Sequence, residues 1–457
     1  MNNTTKIISG LVVAGAIGIV ATPILYQKQV DKFISMQTQN LKKENIYIQE
    51  KENKDTFFNI KRKYIITIKD ITPIIKNIYP NIDPYSLRDL KEGFDNTKFI
   101  ATIDMSKYPI SHKDAIKIAL FQLNDFLTKQ LKNDFTGKEL LAFIEKRGFE
   151  ISIDTNSLDI KKAKLKDIDL TLHKIQNSKS QVKFIVKNGY TLFNSTILTN
   201  IDNLQFNMLD TEFNTNVNIK NIKYNFTKQN DFNYKTNLKI KKVSYNYFKK
   251  HIYSNMTDNI KIDLDNINSS SQVNSIVNSL NIKNSLNIKN TNISLNNDII
   301  NLKGFIFNTK LEKLDLTSIK TLYTLSQQPQ IDTEKMSYAI QTLLNKGLKI
   351  KIDPLSFNQA KISIQNQNFN FSKLKILFNS ELKSNKYKLG SNTEYLLNYI
   401  IADLNINTTK ENIQLLTNLN PMAAIYLATV SKETKDGVNI NISYKNGQLT
   451  SNGKKLF

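Results

Sequence analysis

The stretch Val217-Asn218-Ile219-Lys220-Asn221-Ile222-Lys223-Tyr224-Asn225-Phe226 carries the pattern from which the fold is read. Val217 and Ile219 alternate with polar residues, Ile222, Tyr224 and Phe226 do the same, and one extra residue separates the two series. A period of two puts the apolar side chains on one strand face and Lys and Asn on the other. The break predicts a β-bulge, which takes up one additional residue without ending the strand. The same alternation extends outward, upstream at Ile168, Leu170 and Leu172, and downstream at Leu238 and Ile240 and at Ile260, Ile262 and Leu264. Such strands belong to antiparallel sheets with one apolar and one wet face. The exact internal repeat NSLNIK, at 278–283 and again at 284–289, falls in this region. Two copies are too few for a solenoid, so the repeat reads as a local duplication among strands.

Strands also flank this region. They are expected at Tyr64, Ile66 and Ile68, over Phe99–Met105, at Leu348, Ile350 and Ile352, and at Ile362, Ile364, Phe369 and Phe371. Helical spacing interrupts the alternation. Val30, Phe33, Ile34 and Leu41 predict a helix over 27–43. Ile116, Leu120, Leu123, Leu127 and Leu131 predict another, with His112 in its first turn, and Thr136 with Glu139 reads as the capping box of a third that stops at Gly148. Further helices are expected over 314–326, 332–346, 395–404 and 421–432. The chain is therefore divided into a membrane anchor (1–27), a membrane-proximal helix with first strands (28–110), a helical hairpin (111–149), a β-rich body (150–313), a helical pair (314–347) and a C-terminal β/α segment with a terminal hairpin (348–457). The expected fold class is α+β, predominantly antiparallel β: an extended one-faced sheet with helical insertions and one N-terminal transmembrane helix.

The anchor expectation rests on the uninterrupted apolar run from Ile7 to Tyr26, with Leu11, Val12, Ile17, Ile19, Val20, Ile24 and Leu25 among its large members. At ~1.5 Å per helical residue such a run is about 30 Å long, the thickness of a bilayer core. A cleaved signal peptide is the rival, but the run is long for one and continues past Ala21 through Pro23 to Tyr26 without an A-x-A site. The expectation is a single-pass protein of the bacterial inner membrane with its bulk in the periplasm, since long domains translocate regardless of flanking charge.

Composition narrows the chemistry. The 457 residues contain no cysteine, which excludes disulfides, thiolate metal sites and cysteine nucleophiles. The net charge of +23 comes from 63 Lys and Arg against 40 Asp and Glu, spread along strand after strand and almost all Lys. Dispersed charge of this kind argues against nucleic acid and for anionic headgroups or envelope polymers.

At the C-terminal end, Gly437 opens an apolar alternation (Val438, Ile440, Ile442, Tyr444) followed by the turn dipeptides Asn446-Gly447 and Asn452-Gly453 and then Lys454. This ending resembles that of the bacterial YdgA-like family, in which a glycine, a strand with tyrosine, a short N-G turn and N-G-K follow one another. The resemblance covers about eighteen residues. It implies a membrane-anchored envelope protein and supplies no catalytic residue.

No catalytic, cofactor or metal site is expected. His112, His173 and His251 lie in separate elements and read as surface residues, and Asp263 and Asp265 mimic a calcium loop without its glycine. No nucleophile elbow, Walker motif or dinucleotide fingerprint occurs. The expected partner is membrane lipid, in the form of an acyl chain held along an apolar sheet face, or an envelope protein on that same face. The alternatives are an envelope hydrolase with a carboxylate site not visible in sequence, or a scaffold subunit of a membrane assembly.

Overall fold

The structure is a computed structural model that describes residues 27–456 apart from 80–81, 109, 134, 157–158, 175–178, 252–256, 327–331, 391, 393 and 436. Two compact units meet in sequence at Asn194 and Ser195. The Ile7–Tyr26 run lies outside the described residues. The expected fold class, an extended sheet with one N-terminal transmembrane helix, is corrected: the described residues form a large antiparallel β assembly with helices, and among them no helix is long and apolar enough to cross a membrane. The helix that follows the run, α1 (27–43), carries Lys28, Asp31, Lys32, Lys42 and Lys43 and is too charged to take that role.

The first unit continues with β1 (Ile46–Asn53), β2 (Asn59–Ile68), α2 (Thr72–Ile78), α3 (Pro84–Phe94), β3 (Lys98–Ser106), β4 (Ser111–Gln122), α4 (Asp125–Lys132), α5 (Phe135–Glu145), β5 (Glu150–Asn156), β6 (Asp159–Leu165), β7 (Ile168–His173), β8 (Gln181–Lys187) and β9 (Tyr190–Phe193). Strands β1 to β6 form an antiparallel meander joined by β9, and β7 pairs with β8. Val30 of α1 packs against Ile60, Met105 and Ala115 in a buried cluster. Beside it the buried Arg62 donates from Nε and Nη2 to Asp55 Oδ2, at 3.0 and 2.6 Å, and from Nη1 to Asp31 Oδ1 of α1 at 2.7 Å. Burial works against the guanidinium charge, but its bonds to Asp55 and Asp31 outweigh that and raise its pKa above the ordinary arginine value. Helix α1 is thus held by this apolar packing, by the Asp31–Arg62 ion pair and by Gln27, which accepts from Lys107 Nζ and donates to Asp55 Oδ2.

Ser111–Gln122 is a strand, where the leucine and isoleucine spacing predicts a helix. Pairing on both sides, with β3 and β5, satisfies its backbone, and a bulge at Asp114 (φ +47°) shifts the alternation so that His112, Ala115 and Ala119 all turn inward. His112 is therefore buried, not on a helix surface. Thr136 and Glu139 do not form a capping box either; Thr136 Oγ1 donates to the carbonyl of His173, and Glu139 accepts from the His173 backbone N–H.

The second unit is built on long strands: β10 (Thr196–Leu209), β11 (Phe213–Asn230), β12 (Asn233–Lys250), β13 (Thr257–Ile276), β14 (Ser279–Leu295), β15 (Asp298–Asp315), then α6 (Leu316–Ser326) and α7 (Thr333–Lys346), then β16 (Leu348–Ile364) and β17 (Gln367–Leu382). After α8 (Glu394–Leu397) come β18 (Ile400–Thr408), α9 (Lys410–Leu419), α10 (Pro421–Val430), β19 (Ser431–Thr434), β20 (Gly437–Lys445), β21 (Gln448–Ser451) and β22 (Lys454–Lys455). Each strand from β10 to β18 pairs antiparallel with the next, and β20 closes on β18. The expected helix over 395–404 is confined to α8, because the alternating Ile400–Thr408 pairs with strands on both sides.

Where a one-strand bulge is expected between Ile219 and Ile222, the structure has a row of matched bulges with no register shift there. The β11–β12 register runs from Lys220↔Lys242 to Ile222↔Ile240, passing over Asn221 and Lys241, and the same step recurs at Asn266, Lys289 and Gly304 in β13, β14 and β15. Asn221, Asn266 and Gly304, on alternate strands, take left-handed φ of +53°, +52° and +65°. Because every strand gains its extra residue in the same row, the register survives while the inward parity switches. Two apolar ladders flank the row. One joins Ile219, Val243, Leu264, Thr291, Leu302 and Ala360; the other joins Ile222, Ile240, Ile267, Ile288 and Phe305. Lys220 with Lys242, and Lys223 with Lys239, stand opposite one another on the other face.

Helices α6 and α7 cover one end of the apolar face, where Val273, Leu280 and Leu314 are buried. Asp315 begins α6 by accepting from the Ser318 N–H at 2.8 Å and receives Lys346 Nζ of α7 at 2.6 Å. Burial pushes the Asp315 carboxyl up, yet the Lys346 and Ser318 bonds hold it below the usual carboxylate range. With the folded pKa depressed, this contribution is complete above about pH 4 and disappears as pH falls through the folded value. Asp315→Asn is expected to cost about 1–2 kcal/mol at neutral pH and to flatten the acid limb of Tm against pH, measured by calorimetry. Gly304→Val, which forces a β-branched residue into the left-handed region and drives its Cβ into Asn358, is expected to cost about 2–3 kcal/mol in urea unfolding. Asn221→Gly should cost almost nothing in the same assay.

Candidate functional site

At the end of the apolar face away from α6 and α7, helices α9 and α10 lie over β15 to β18 and β20 and shelter a cavity of about 640 Å³. Its floor comes from both sides of the bulge row: Ile300, Leu302, Ala360 and Ile362 on one side, Phe305, Leu355, Phe357 and Ile376 on the other. Its roof is Ile413 and Leu416 of α9 and Leu427 of α10. The size lies within the range of pockets that hold small apolar ligands.

Two polar side chains reach the wall, Thr408 and Asn412, and both are spent. Asn412 Oδ1 accepts from the Ser372 N–H at 2.9 Å, and its Nδ2 donates to the Ser372 carbonyl and, at 2.7 Å, to Thr408 Oγ1. Thr408 Oγ1 in turn donates to the Lys373 carbonyl at 3.3 Å. The cavity wall therefore presents hydrocarbon to an occupant and no free donor or acceptor from these two groups. The sequence reading missed α9, although Thr409 caps it, accepting from the Asn412 N–H at 3.3 Å, and Glu411 follows in its first turn.

The C-terminal motif residues build the frame around this roof. Gly437, at φ +146°, begins β20 where any Cβ would meet the Thr408 carbonyl oxygen. Tyr444 pairs with Ala402 and Leu449, while Asn446-Gly447 (φ +51° and +74°) and Asn452-Gly453 (φ +46° and +82°) make the two tight turns that the dipeptides predict. Asn452 Nδ2 and Ser451 Oγ both donate to the carbonyl of Val430, the last residue of α10, at 2.6 and 3.1 Å. Lys454 follows on β22, exposed to solvent.

The other residues singled out by sequence are not brought together. His173 Nδ1 meets Glu139 Oε1 at 2.9 Å and His251 Nε2 meets Asp258 Oδ2 at 2.9 Å, while His112 Nε2 lies 3.1 Å from the Tyr108 carbonyl. Asp263 accepts from Ser244 Oγ and stands between Lys242 and Lys261 on the wet face. Among the described residues Asp315 is the one fully buried acid, and no group of three His, Asp or Glu is placed to hold a metal ion. No protein-family model, curated protein or solved structure matches the chain.

Asn412 ties the roof to the floor. Asn412→Ala strands the Ser372 backbone groups and is expected to cost about 2 kcal/mol; hydrogen exchange followed by mass spectrometry should show the α9 amides opening at least tenfold faster while those of β13 are unchanged.

Proposed function

We propose that this is a lipid-binding protein of the bacterial cell envelope, and that the cavity beneath α9 and α10 holds an acyl chain. The observation that carries the reading is the cavity itself: about 640 Å³, walled by aliphatic and phenylalanine side chains, with its two polar wall residues already hydrogen-bonded to protein. A sheltered apolar space gains from an occupant that removes hydrocarbon from water, roughly 25 cal/mol per Å², and a polar substrate would lose its hydration there without compensation. Beyond the cavity the apolar ladders continue over β11 to β13 through Ile219, Val243, Ile240 and Ile267, all partly exposed, so the same chemistry extends along the sheet. The C-terminal resemblance to YdgA-like proteins agrees with an envelope setting.

The test is extraction of the purified full chain followed by mass spectrometry for copurified lipid, with displacement of a fluorescent long-chain fatty acid from delipidated protein. Ala360→Phe places a ring in the floor of the cavity and is expected to weaken the probe by tenfold or more, about 1.4 kcal/mol. Ile413→Ala, which enlarges the cavity, should still bind. Absence of both lipid and probe binding in the parent chain would overturn the reading.

A further inference from the structure

The outer surface of the cavity's roof carries an apolar patch on α10 and the end of α9. Helix α10 contains no charged residue, and Met422, Ile425 and Tyr426, spaced three and four apart on one face, are 59%, 62% and 69% exposed. Leu419 of α9 adds to the patch, and Leu416, 41% exposed, belongs to both the patch and the cavity wall. Soluble surfaces rarely keep such a continuous apolar patch in water. The charged residues near it are basic in balance: Lys432 follows α10 directly, Lys435 lies just beyond, and Lys454 and Lys455 follow the turn whose Asn452 and Ser451 hold the α10 C-terminus, while of the two exposed acids among the described residues there, Glu411 and Glu433, the second is paired with Lys410. An apolar face edged by lysines is complementary to a bilayer of anionic lipid, the apolar residues entering the headgroup boundary and the ammonium groups meeting the phosphates.

We propose that α10, with the end of α9, docks onto the surface of an anionic membrane and places Leu416 where an acyl chain passes between bilayer and cavity. This rests on the reading of the cavity as an acyl site. It commits to a lipid surface rather than a protein partner on the complementarity of an uncharged apolar helix with a net basic edge to anionic headgroups.

The chain has no tryptophan, so Tyr426→Trp in the full chain gives a single indole on the patch, excited at the red edge where tyrosine does not absorb, and Tyr338→Trp, on the exposed face of α7 (73% exposed), gives a reference away from it. Each variant is mixed with phosphatidylglycerol vesicles whose acyl chains are brominated, a quencher that acts only within the hydrocarbon. The docking predicts at least twofold quenching at position 426 and none at 338, with Lys432→Glu/Lys454→Glu reducing the quenching at 426. Equal quenching at the two positions, or none at 426, overturns the docking. If lipid copurifies but the Tyr426→Trp variant is not quenched, the cavity reading stands and the docking fails; if that variant is quenched and the cavity binds no acyl probe, the docking stands and the cavity reading fails. A protein partner would leave the indole at position 426 unquenched by vesicles alone.

Discussion

An antiparallel sheet keeps its register across a change in which residues face inward only if neighbouring strands change at the same row, and the second unit depends on that constraint. A single bulge in one strand would turn its apolar residues toward water from that point on, or push it out of register with both neighbours. Here the insertion is shared: Asn221, Lys241, Asn266, Lys289 and Gly304 each occupy the row, and the ladders resume on the same face beyond it. The left-handed residues fall on alternate strands, where asparagine or glycine meets the conformation at little cost. Without this coincidence Leu302 and Phe305 would point to opposite faces, and the cavity would lose half of its floor.

The covering helices follow from the same geometry. The apolar face is long, and two helical pairs shelter its ends: α6 with α7, fixed by Asp315 and Lys346, and α9 with α10, fixed by Asn412 and by the turn at Asn452. Between them the side chains of Ile240, Ile267 and Ile288 are partly exposed. On the wet face Lys220 faces Lys242 and Lys223 faces Lys239, an arrangement that cross-strand electrostatics disfavours. The sheet tolerates it because these ammonium groups stand in solvent, where water and salt screen them.

Much of this was legible in the residues. The alternation gave β2, β3 and β7 of the first unit and β11, β12, β13, β16, β17 and β20 of the second, the extra residue after Ile219 gave the break in parity there, and Asn446-Gly447 and Asn452-Gly453 gave the turns, because these signals are local and two-residue periodicity is hard to imitate. The errors were also local ambiguities. Ile116, Leu120 and Leu123 have helical spacing, but Ile116 and Ile118 alternate as well, and the pairing of β4 with β3 and β5 decided between them. Tyr395–Leu404 failed for the same reason. The cavity itself could not be read, since its wall draws on residues from Ile300 to Ile440 whose adjacency is set by strand order, and its roof includes α9, whose Thr409 cap is a weak signal among so many polar residues.

From its second residue onward the tandem NSLNIK lies within β14, and its copies place Leu280 with Leu286, and Ile282 with Ile288, on one face. Six is an even number, so duplicating such a unit lengthens a strand by whole pleats, about 20 Å at ~3.4 Å per residue, and leaves the inside inside. A five- or seven-residue duplication would have inverted everything downstream of it. Elongation by even steps is therefore a permitted route by which the strands of such a sheet grow longer, each lengthened strand offering its neighbours the same parity to copy, and the hexapeptide is the trace such a step leaves in the sequence.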